Sequence, residues 1–475
     1  MHTLAKLSLL SLCLLTFSCT QQIEQSYSPA EKLPPNVLFI AVDDLRPELG
    51  AYGRSIVHSP NIDRLAARAM RFTNAYCNVP VCGASRASLM TGIRPTRNRF
   101  VDYSTRIEED APGVTTLHGH FKENGYYSVA LGKVLHHTDD REDDYNEPNW
   151  RPTVGAGKGR DYHSPKAMAM VAEGSGGRGP AFERGVLADS AYWDGKIAAR
   201  AVDYVDKLAA GDQPFFLAVG FMKPHLPFNA PERYWQRYDS VDFELPPTYF
   251  RGDGTPEELL HNSGELRNYL EVPEDRILPE DYARTLIHGY YASVSFVDAQ
   301  IGKVLDALEA TGEADNTIVI LWGDHGWNLG DHTMWCKHTV FNSSLRVPLL
   351  IDAPGLVAGT AAAMVEYVDL FPTLAELAGL PRPDQLDGRS LVPLLQDPDR
   401  EWDNAVFTRW YDGDNITTDR YAYTEWRDTT GELYARALFD HHTDSLETNS
   451  VARDHRYQAI VDSLSRVLLQ HKRGK

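Results

Sequence analysis

Cysteine is scarce in this 475-residue chain: there are five, and two of them, Cys13 and Cys19, fall among the first 19 residues. A fold stapled by several disulfides is therefore excluded. With Cys82 assigned to chemistry below, Cys77 and Cys336 could form at most one bridge, and their spacing does not say whether they meet. Long apolar runs are also lacking. The most apolar stretch, Leu7 to Phe17, is too short to cross a bilayer, so no transmembrane helix is expected. Basic residues are outnumbered as well, 47 Lys and Arg against 66 Asp and Glu, for a formal net charge of -19. That balance argues against a nucleic-acid partner. No internal repeat occurs. What is present is ordinary for a soluble globular protein, with 43% hydrophobic and 24% charged residues, and the length allows one large or two modest domains with a sizeable core. An anionic substrate would have to be attracted by a local basic pocket set in an acidic body.

Residues 1–18 read as an export signal, since Lys6 precedes the apolar run and the run ends at Ser18-Cys19. That ending is similar to a bacterial lipoprotein processing site. Cys19 is then the expected lipidated residue, and the protein is expected in the bacterial cell envelope, at the membrane through its lipid alone. Thr16 stands where such sites usually carry leucine, so simple cleavage and release is the other reading. Residues 19–34 read as a flexible tether, 35–400 as the main domain, and 401–475 as a small C-terminal α+β subdomain ending in a helix from Gln458 to His471.

Asn36 to Val42 is a continuous apolar run of strand length, the pattern of a buried parallel strand. It stops at Asp43-Asp44. Successive strand side chains point to opposite faces, so two adjacent carboxylates can serve one site only where the strand has ended and the backbone has turned. Other expected strands deliver similar groups: Tyr126–Leu131 leads to Lys133 and His136, and Phe215–Phe221 leads to Lys223-Pro224-His225-Leu226-Pro227. Thr317–Trp322 leads to Asp324-His325, with Lys337 beyond. Taken singly, each of these reads more simply as a loop residue, a cap or a surface charge. Taken together, they set charged groups at the ends of successive strands, where open α/β sheets build ligand sites. Helices are expected at Asn61–Met70, Thr115–Asn124, Asp189–Ala209 and from about residue 280 to 310, so the sheet should be largely parallel. His288, Tyr290 and Asp298 on the last helix read as structural. Residues 138–188 show little periodicity and read as a long surface excursion, a candidate for substrate selection. Residues 236–280 are equally unpatterned.

Between Asn78 and Gly92, Cys82 precedes a run able to form a helix, with Arg86 four residues on. A nucleophile at a helix N-terminus benefits from free N–H groups and the helix dipole, although a lone cysteine is otherwise a small buried apolar residue. Cys82-Gly83-Ala84-Ser85-Arg86, followed by Leu89-Met90-Thr91-Gly92, resembles the signature of type I sulfatases, with Ala84 where most members have proline. Asp43-Asp44, Gly132-Lys133 with His136, Lys223-Pro224-His225, Asp324-His325-Gly326 and Lys337 follow in family order. Leu438 to Asp444 resembles a C-terminal box of the family, with Ser445 in place of its proline. The motifs are most similar to iduronate-2-sulfatases and their bacterial polysaccharide-sulfatase relatives.

The resemblance implies an alkaline-phosphatase-like α/β sandwich with a large, mostly parallel central sheet, and a sulfuric ester hydrolase. It implies that Cys82 is converted by a maturation enzyme to formylglycine (3-oxoalanine). A serine attacking a sulfate ester would end as a stable serine sulfate. A hydrated aldehyde has two hydroxyls on one carbon, so one can attack sulfur while the other later expels sulfate by restoring the C=O. By the same resemblance Asp43, Asp44, Asp324, His325 and modified Cys82 bind one Ca²⁺, as a mostly oxygen donor set suggests. Arg86, Lys133 and Lys337 neutralise the sulfate oxygens. His225, with Lys337, protonates the leaving oxygen, and His136 takes the proton of the second hydroxyl. The implied substrate is a sulfated oligosaccharide or polysaccharide, glycosaminoglycan-like or ulvan-like, with uronic acid units. Two other readings stand beside this one: a phosphate mono- or diester hydrolase of the same fold, and an unmodified, inactive lipoprotein that binds sulfated glycans.

Overall fold

Seven strands make the main sheet of the computed structural model, which describes residues 34–153, 160–173, 175–403 and 405–473. They are β1 (Asn36–Val42), β2 (Met70–Tyr76), β3 (Tyr127–Gly132), β4 (Phe215–Phe221), β5 (Thr317–Gly323), β6 (Arg346–Asp352) and β7 (Gly359–Glu366). Their order across the sheet is β7-β2-β6-β5-β1-β4-β3. Only β6 runs against its neighbours β2 and β5; every other pairing is parallel. The expected export signal, tether and Cys19 lie outside the described residues.

The unbroken apolar runs are explained by what covers the sheet. Val37, Phe39 and Ala41 enter one core with Phe216, Ala218, Ile320 and Trp322, while Leu38, Ile40 and Val42 enter a second core with Leu217, Val219 and Leu321. Alternate side chains thus fill two layers, and neither face can be polar. On the second face lie the helices Trp193–Ala209 and Glu280–Thr311, through Ile197, Ala201, Leu286, Tyr290 and Ile301. The other face is covered by Cys82–Thr91, Leu117–Glu123 and Leu370–Leu377.

A second sheet is an antiparallel meander of β8 (Ala405–Trp410), β9 (Gly413–Thr418), β10 (Tyr421–Arg427) and β11 (Leu433–Asp440). Val406, Ala422, Trp426 and Phe439 join the first core, whereas Ile416, Tyr423 and Leu438 pack with Val461, Leu464 and Leu468 of the terminal helix Gln458–Arg473.

Two expectations need correction. The helix expected over Asn61–Met70 spans Pro60–Ala66, and Met70 instead opens β2, with Met70 and Phe72 inward and Arg71 and Thr73 less buried. Asp298 accepts from the backbone N–H of Asn61 and Ile62 and so anchors the start of that helix. The excursion 138–188 is not featureless: it holds a helix at Pro165–Glu173 and a strand at Phe182–Gly185 paired with Phe228–Pro231. Cys77 and Cys336 are separate buried thiols.

A buried histidine on the helix Leu117–Glu123 makes stability depend on pH. His118 is fully buried, stacked on Tyr145 at 4.1 Å, and both ring nitrogens lack a hydrogen-bond partner. Burial pushes its pKa down to about 3, against a smaller opposing pull from Asp144. The unfolded chain takes a proton on this ring near pH 6.5 and the folded chain does not, so stability is present above that pH and is lost as pH falls toward 3. At pH 5 the cost is about 2 kcal/mol. His118→Phe should therefore lose less melting temperature than wild type between pH 7 and pH 5; an equal loss contradicts the assignment.

Candidate active site

Register places the site. Val42 pairs with Phe221 on one side and Gly323 on the other, and Gly132 pairs with Gly220. The residues that follow these four strand ends therefore leave the sheet along one edge: Asp43-Asp44, Met222 to Pro227, Asp324-His325 and Lys133. The backbones of β3 and β4 approach so closely there that a Cβ on Gly220 would sit 2.1 Å from the Lys133 carbonyl. Asp43 N–H still donates to Phe221 O and Asp324 N–H to Val42 O. Asp44 then takes a left-handed conformation with φ 61, which aspartate tolerates better than most residues. This turn lets both adjacent carboxylates face one site. Tyr290 holds the turned residue by donating to the Asp44 carbonyl at 2.8 Å.

Cys82 is the first residue of its helix, which ends at Gly92 in the left-handed region. Its Sγ lies 3.3 Å from His325 Nε2 and 3.9 Å from Asp44 Oδ1. The helix start does not make this thiol acidic. Burial, followed by the charge of Asp43, pushes it well above the usual range, outweighing Lys133 and Lys337.

Asp43, Asp44 and Asp324 have no exposed surface, and buried carboxylates require partners. Arg86, also fully buried, donates from Nη2 to Asp43 at 3.0 Å and from Nε to Asp324 at 2.9 Å, with the carbonyls of Lys133 and Val134 on Nη1. By the resemblance Arg86 is expected against the sulfate oxygens. In the structure its guanidinium is committed to two carboxylates and two carbonyls, so it organises the acidic side chains. Lys133 pairs with Asp43, and Lys337 lies 3.0 Å from Asp44 Oδ1. Burial would raise Asp43, but Lys133, Arg86 and His225 overcome it and hold this carboxyl well below its usual range. Asp44 is raised, because burial outweighs Lys337 and His225.

A cation suits this donor set. Asp43, Asp44, Cys82 and His225 bring donor atoms within 4.8 Å of one another, and so do Cys82, Asp324 and His325. His325 Nδ1 faces the Gly326 carbonyl at 2.9 Å, which can only accept and so fixes the proton there. Its Nε2 is left facing Asp44 Oδ1 at 3.3 Å and Asp324 Oδ1 at 3.6 Å. An acceptor nitrogen among carboxylate oxygens is the arrangement a divalent cation satisfies.

His225 and His136 flank the cluster. His225 Nδ1 lies 2.6 Å from Leu226 O, and its Nε2 lies 3.9 Å from Asp44 Oδ2. His136 is driven far down from the usual histidine range by burial and then by Lys133, and its Nδ1 is buried without a hydrogen-bond partner. It is a neutral ring beside a lysine. Among the described residues, every site residue read from the sequence is thus gathered at this edge; Cys19 lies outside them.

Three supports were not assigned from the sequence. Asp194 accepts from the N–H groups of Met222 and Lys223, and burial pushes it up to about 7. Lys223 Nζ donates to His225 O and Pro227 O, so the Lys223-Pro224-His225 motif contains its own brace. Arg151 donates to the carbonyls of Gly132, Leu135 and His136 and shapes the turn carrying Lys133 and His136. A fourth residue, Glu265, lies 3.1 Å from His225 Nε2 and 3.0 Å from Lys337 Nζ. It comes from the unpatterned stretch 236–280, where no motif signals it.

Known proteins are similar to this chain over nearly all of its described residues. A family model described as Sulfatase matches residues 35–380, and one described as N-sulphoglucosamine sulphohydrolase, C-terminal, matches residues 330–474. Iduronate 2-sulfatase of Mus musculus is 31% identical, covering 90% of this chain and 93% of its own. A sulfatase of Formosa agariphila is 30% identical, covering 97% and 90%. A solved structure in complex with its substrate D-glucosamine-2-N,6-O-disulfate superposes with TM-score 0.73 at 20% identity, covering 93% of this chain and 98% of that one. That last likeness concerns the fold, the alkaline-phosphatase-like sandwich expected above. With the match running through both sheets and through every strand end that carries a charged group, the chain belongs to the sulfatase family and is a sulfatase enzyme.

Proposed function

We propose that this sulfatase hydrolyses a sulfate monoester on a uronic-acid-containing oligosaccharide or polysaccharide, glycosaminoglycan-like or ulvan-like. In this reading Cys82 acts as formylglycine, one Ca²⁺ is bound, and the protein is held in the bacterial envelope through Cys19. The observation that carries the reading is the meeting of Cys82, three buried carboxylates and a histidine of fixed tautomer between two buried lysines. The likeness to mouse iduronate 2-sulfatase supports a uronate unit.

Formylglycine suits Cys82 because the bare thiol, held well above its usual range, carries little thiolate with which to attack. The hydrated aldehyde supplies an attacking hydroxyl and a second one that resets the residue. Asp43, Asp44, Asp324 and His325, with the modified Cys82, would hold Ca²⁺, which would supply charge stabilisation for the attacking and sulfate oxygens. Lys133 and Lys337 present positive charge to the sulfate oxygens. Although burial opposes it, Asp44 and Glu265 raise Lys337 well above the usual lysine range, so it stays charged and is ill suited to give up a proton. That leaves His225 to protonate the leaving sugar oxygen. His136, kept neutral, accepts the proton of the second hydroxyl. Arg86 keeps Asp43 and Asp324 in place.

Phosphate ester hydrolases of this fold usually use serine or threonine and two metal ions; here Cys82 and donors for one cation support the sulfate reading. The test is sulfate release, followed by ion chromatography, from uronate-containing sulfated disaccharides and from their phosphorylated counterparts, with enzyme from its own host. Release of sulfate and not phosphate is expected. Turnover of the phosphate esters alone contradicts the proposal. Membrane fractionation of the host reads the Cys19 anchor directly: the protein should sediment with membranes, and a freely soluble mature form contradicts the anchor.

A further inference from the structure

Glu265 has no part in the reaction described above, yet it touches two of the residues placed there. It lies on the short helix Gly264–Arg267, whose Leu266 is buried in the second core. The surrounding loop is clamped: Ser263 Oγ accepts from Trp335 N–H, and Arg267 donates to the carbonyls of Asn262, Pro273 and Asp275. A group on so well tied a loop is held in a defined place.

From that place the carboxylate joins Lys337 to the strand-end residue His225. Oε1 lies 3.0 Å from Lys337 Nζ and 3.1 Å from His225 Nε2. The second ring nitrogen of His225, Nδ1, faces the carbonyl of Leu226 at 2.6 Å. A carbonyl and a carboxylate are both acceptors, so each ring nitrogen meets the group that suits an N–H. Lys337 is fixed on its other sides by Asp44 at 3.0 Å and by the Trp327 ring, with Nζ 4.9 Å from the ring centroid. Despite its burial, Lys337 and His225 hold Glu265 well below the usual carboxylate range.

We infer that Glu265 is a positioning residue for proton delivery to the leaving alcohol, which it serves by orienting His225 with an N–H on Nε2 and keeping Lys337 beside it. The inference rests on the sulfatase reading above. As the attacking hydroxyl oxygen bonds to sulfur, the ester S–O bond breaks and its electron pair stays on the sugar oxygen. The Nε2 proton, shared with Glu265 Oε1 in the resting site, passes to that oxygen once it lies beside Nε2, and His225 regains a proton from solvent after the alcohol departs. Glu265 touches neither sulfur nor the leaving oxygen and acts through His225.

Leaving-group ability separates this role from a merely structural one. A sugar alkoxide is a poor leaving group and needs the proton, whereas a nitrophenolate departs without much help. Glu265→Gln keeps the size and removes the charge. With a sulfated disaccharide its kcat should fall roughly 10–100-fold, the usual loss on removing a supporting partner, with KM little changed. With 4-nitrophenyl sulfate the loss should be several-fold smaller. Glu265→Asp keeps the charge and should recover part of the disaccharide activity; should Glu265→Gln melt markedly earlier, both substrates are assayed at a temperature where it is folded, and the ratio of its two losses carries the test. Equal losses on both substrates, or no loss on the disaccharide, overturn the role of Glu265 alone. Wild-type protein that releases sulfate from neither substrate overturns the sulfatase reading on which it rests.

Discussion

Cys82→Ala should reduce sulfate release by roughly 10⁶-fold, the scale seen when a covalent nucleophile is removed from a preorganised site. The loss should be so large because nothing nearby can substitute. Ser85, one helical turn on, donates its hydroxyl to the Asp324 carbonyl at 2.5 Å, and Cys77 and Cys336 are buried thiols, each pushed up chiefly by burial. The fold should be unharmed, since alanine fits a helix start and the deleted group is small. The measurement is the kcat of sulfate release for variant and wild type from the same host, with melting temperature as the control. A folded variant that keeps most of the wild-type rate removes Cys82 from the reaction.

Removing divalent cations should be nearly as damaging. Three buried carboxylates face Arg86, Lys133 and Lys337, but the pairing is uneven. Asp43 is served by Arg86 and Lys133, whereas Asp44 is raised because Lys337 does not offset its burial. His325 Nε2 faces Asp44 and Asp324 as an acceptor, and a cation resolves that contact. Protein dialysed against a chelator should lose activity and melt earlier. Ca²⁺ should restore both, with Mg²⁺ less effective because it demands a stricter octahedral oxygen shell. A ligand that binds only the folded state adds about 2.7 kcal/mol at a hundred-fold excess over its Kd. Melting temperature should therefore climb with Ca²⁺ independently of any assay of turnover, and Asp324→Asn should abolish the climb. Chelated protein that is fully active and unchanged in stability refutes the cation site.

How far the sequence discloses this architecture depends on what the physics of each element writes into it. β1, β4 and β5 are buried on both faces, so their runs are unbroken and their ends sharp; the charged residues just past them could be read as one edge. β2 and β7 were missed. The first alternates in a way that merges with the preceding helix, and the second, around Ala361-Ala362-Ala363, carries little strand signal and is paired with β2 only in the folded protein. The excursion 138–188 looked featureless because its short strand finds its partner at Phe228–Pro231, far along the chain.

Within the site, types were readable and roles less so. Arg86 belongs to a motif, but whether its guanidinium meets substrate or carboxylates depends on where Asp43 and Asp324 emerge. A helix start favours an anion at Cys82, yet burial and Asp43 hold the thiol well above its usual range. Glu265 could not be found at all, since a lone glutamate in an unpatterned stretch acquires meaning only through its distances to His225 and Lys337.

The most direct test of the account is mass spectrometry of the Cys82 peptide from protein purified from its own host. The account predicts a peptide lighter by the difference between a thiol and an aldehyde at that residue, together with sulfatase activity in the same sample. An intact Cys82 thiol throughout an active preparation would contradict it, and an intact thiol in an inactive preparation that binds sulfated glycans would make this chain a binding protein.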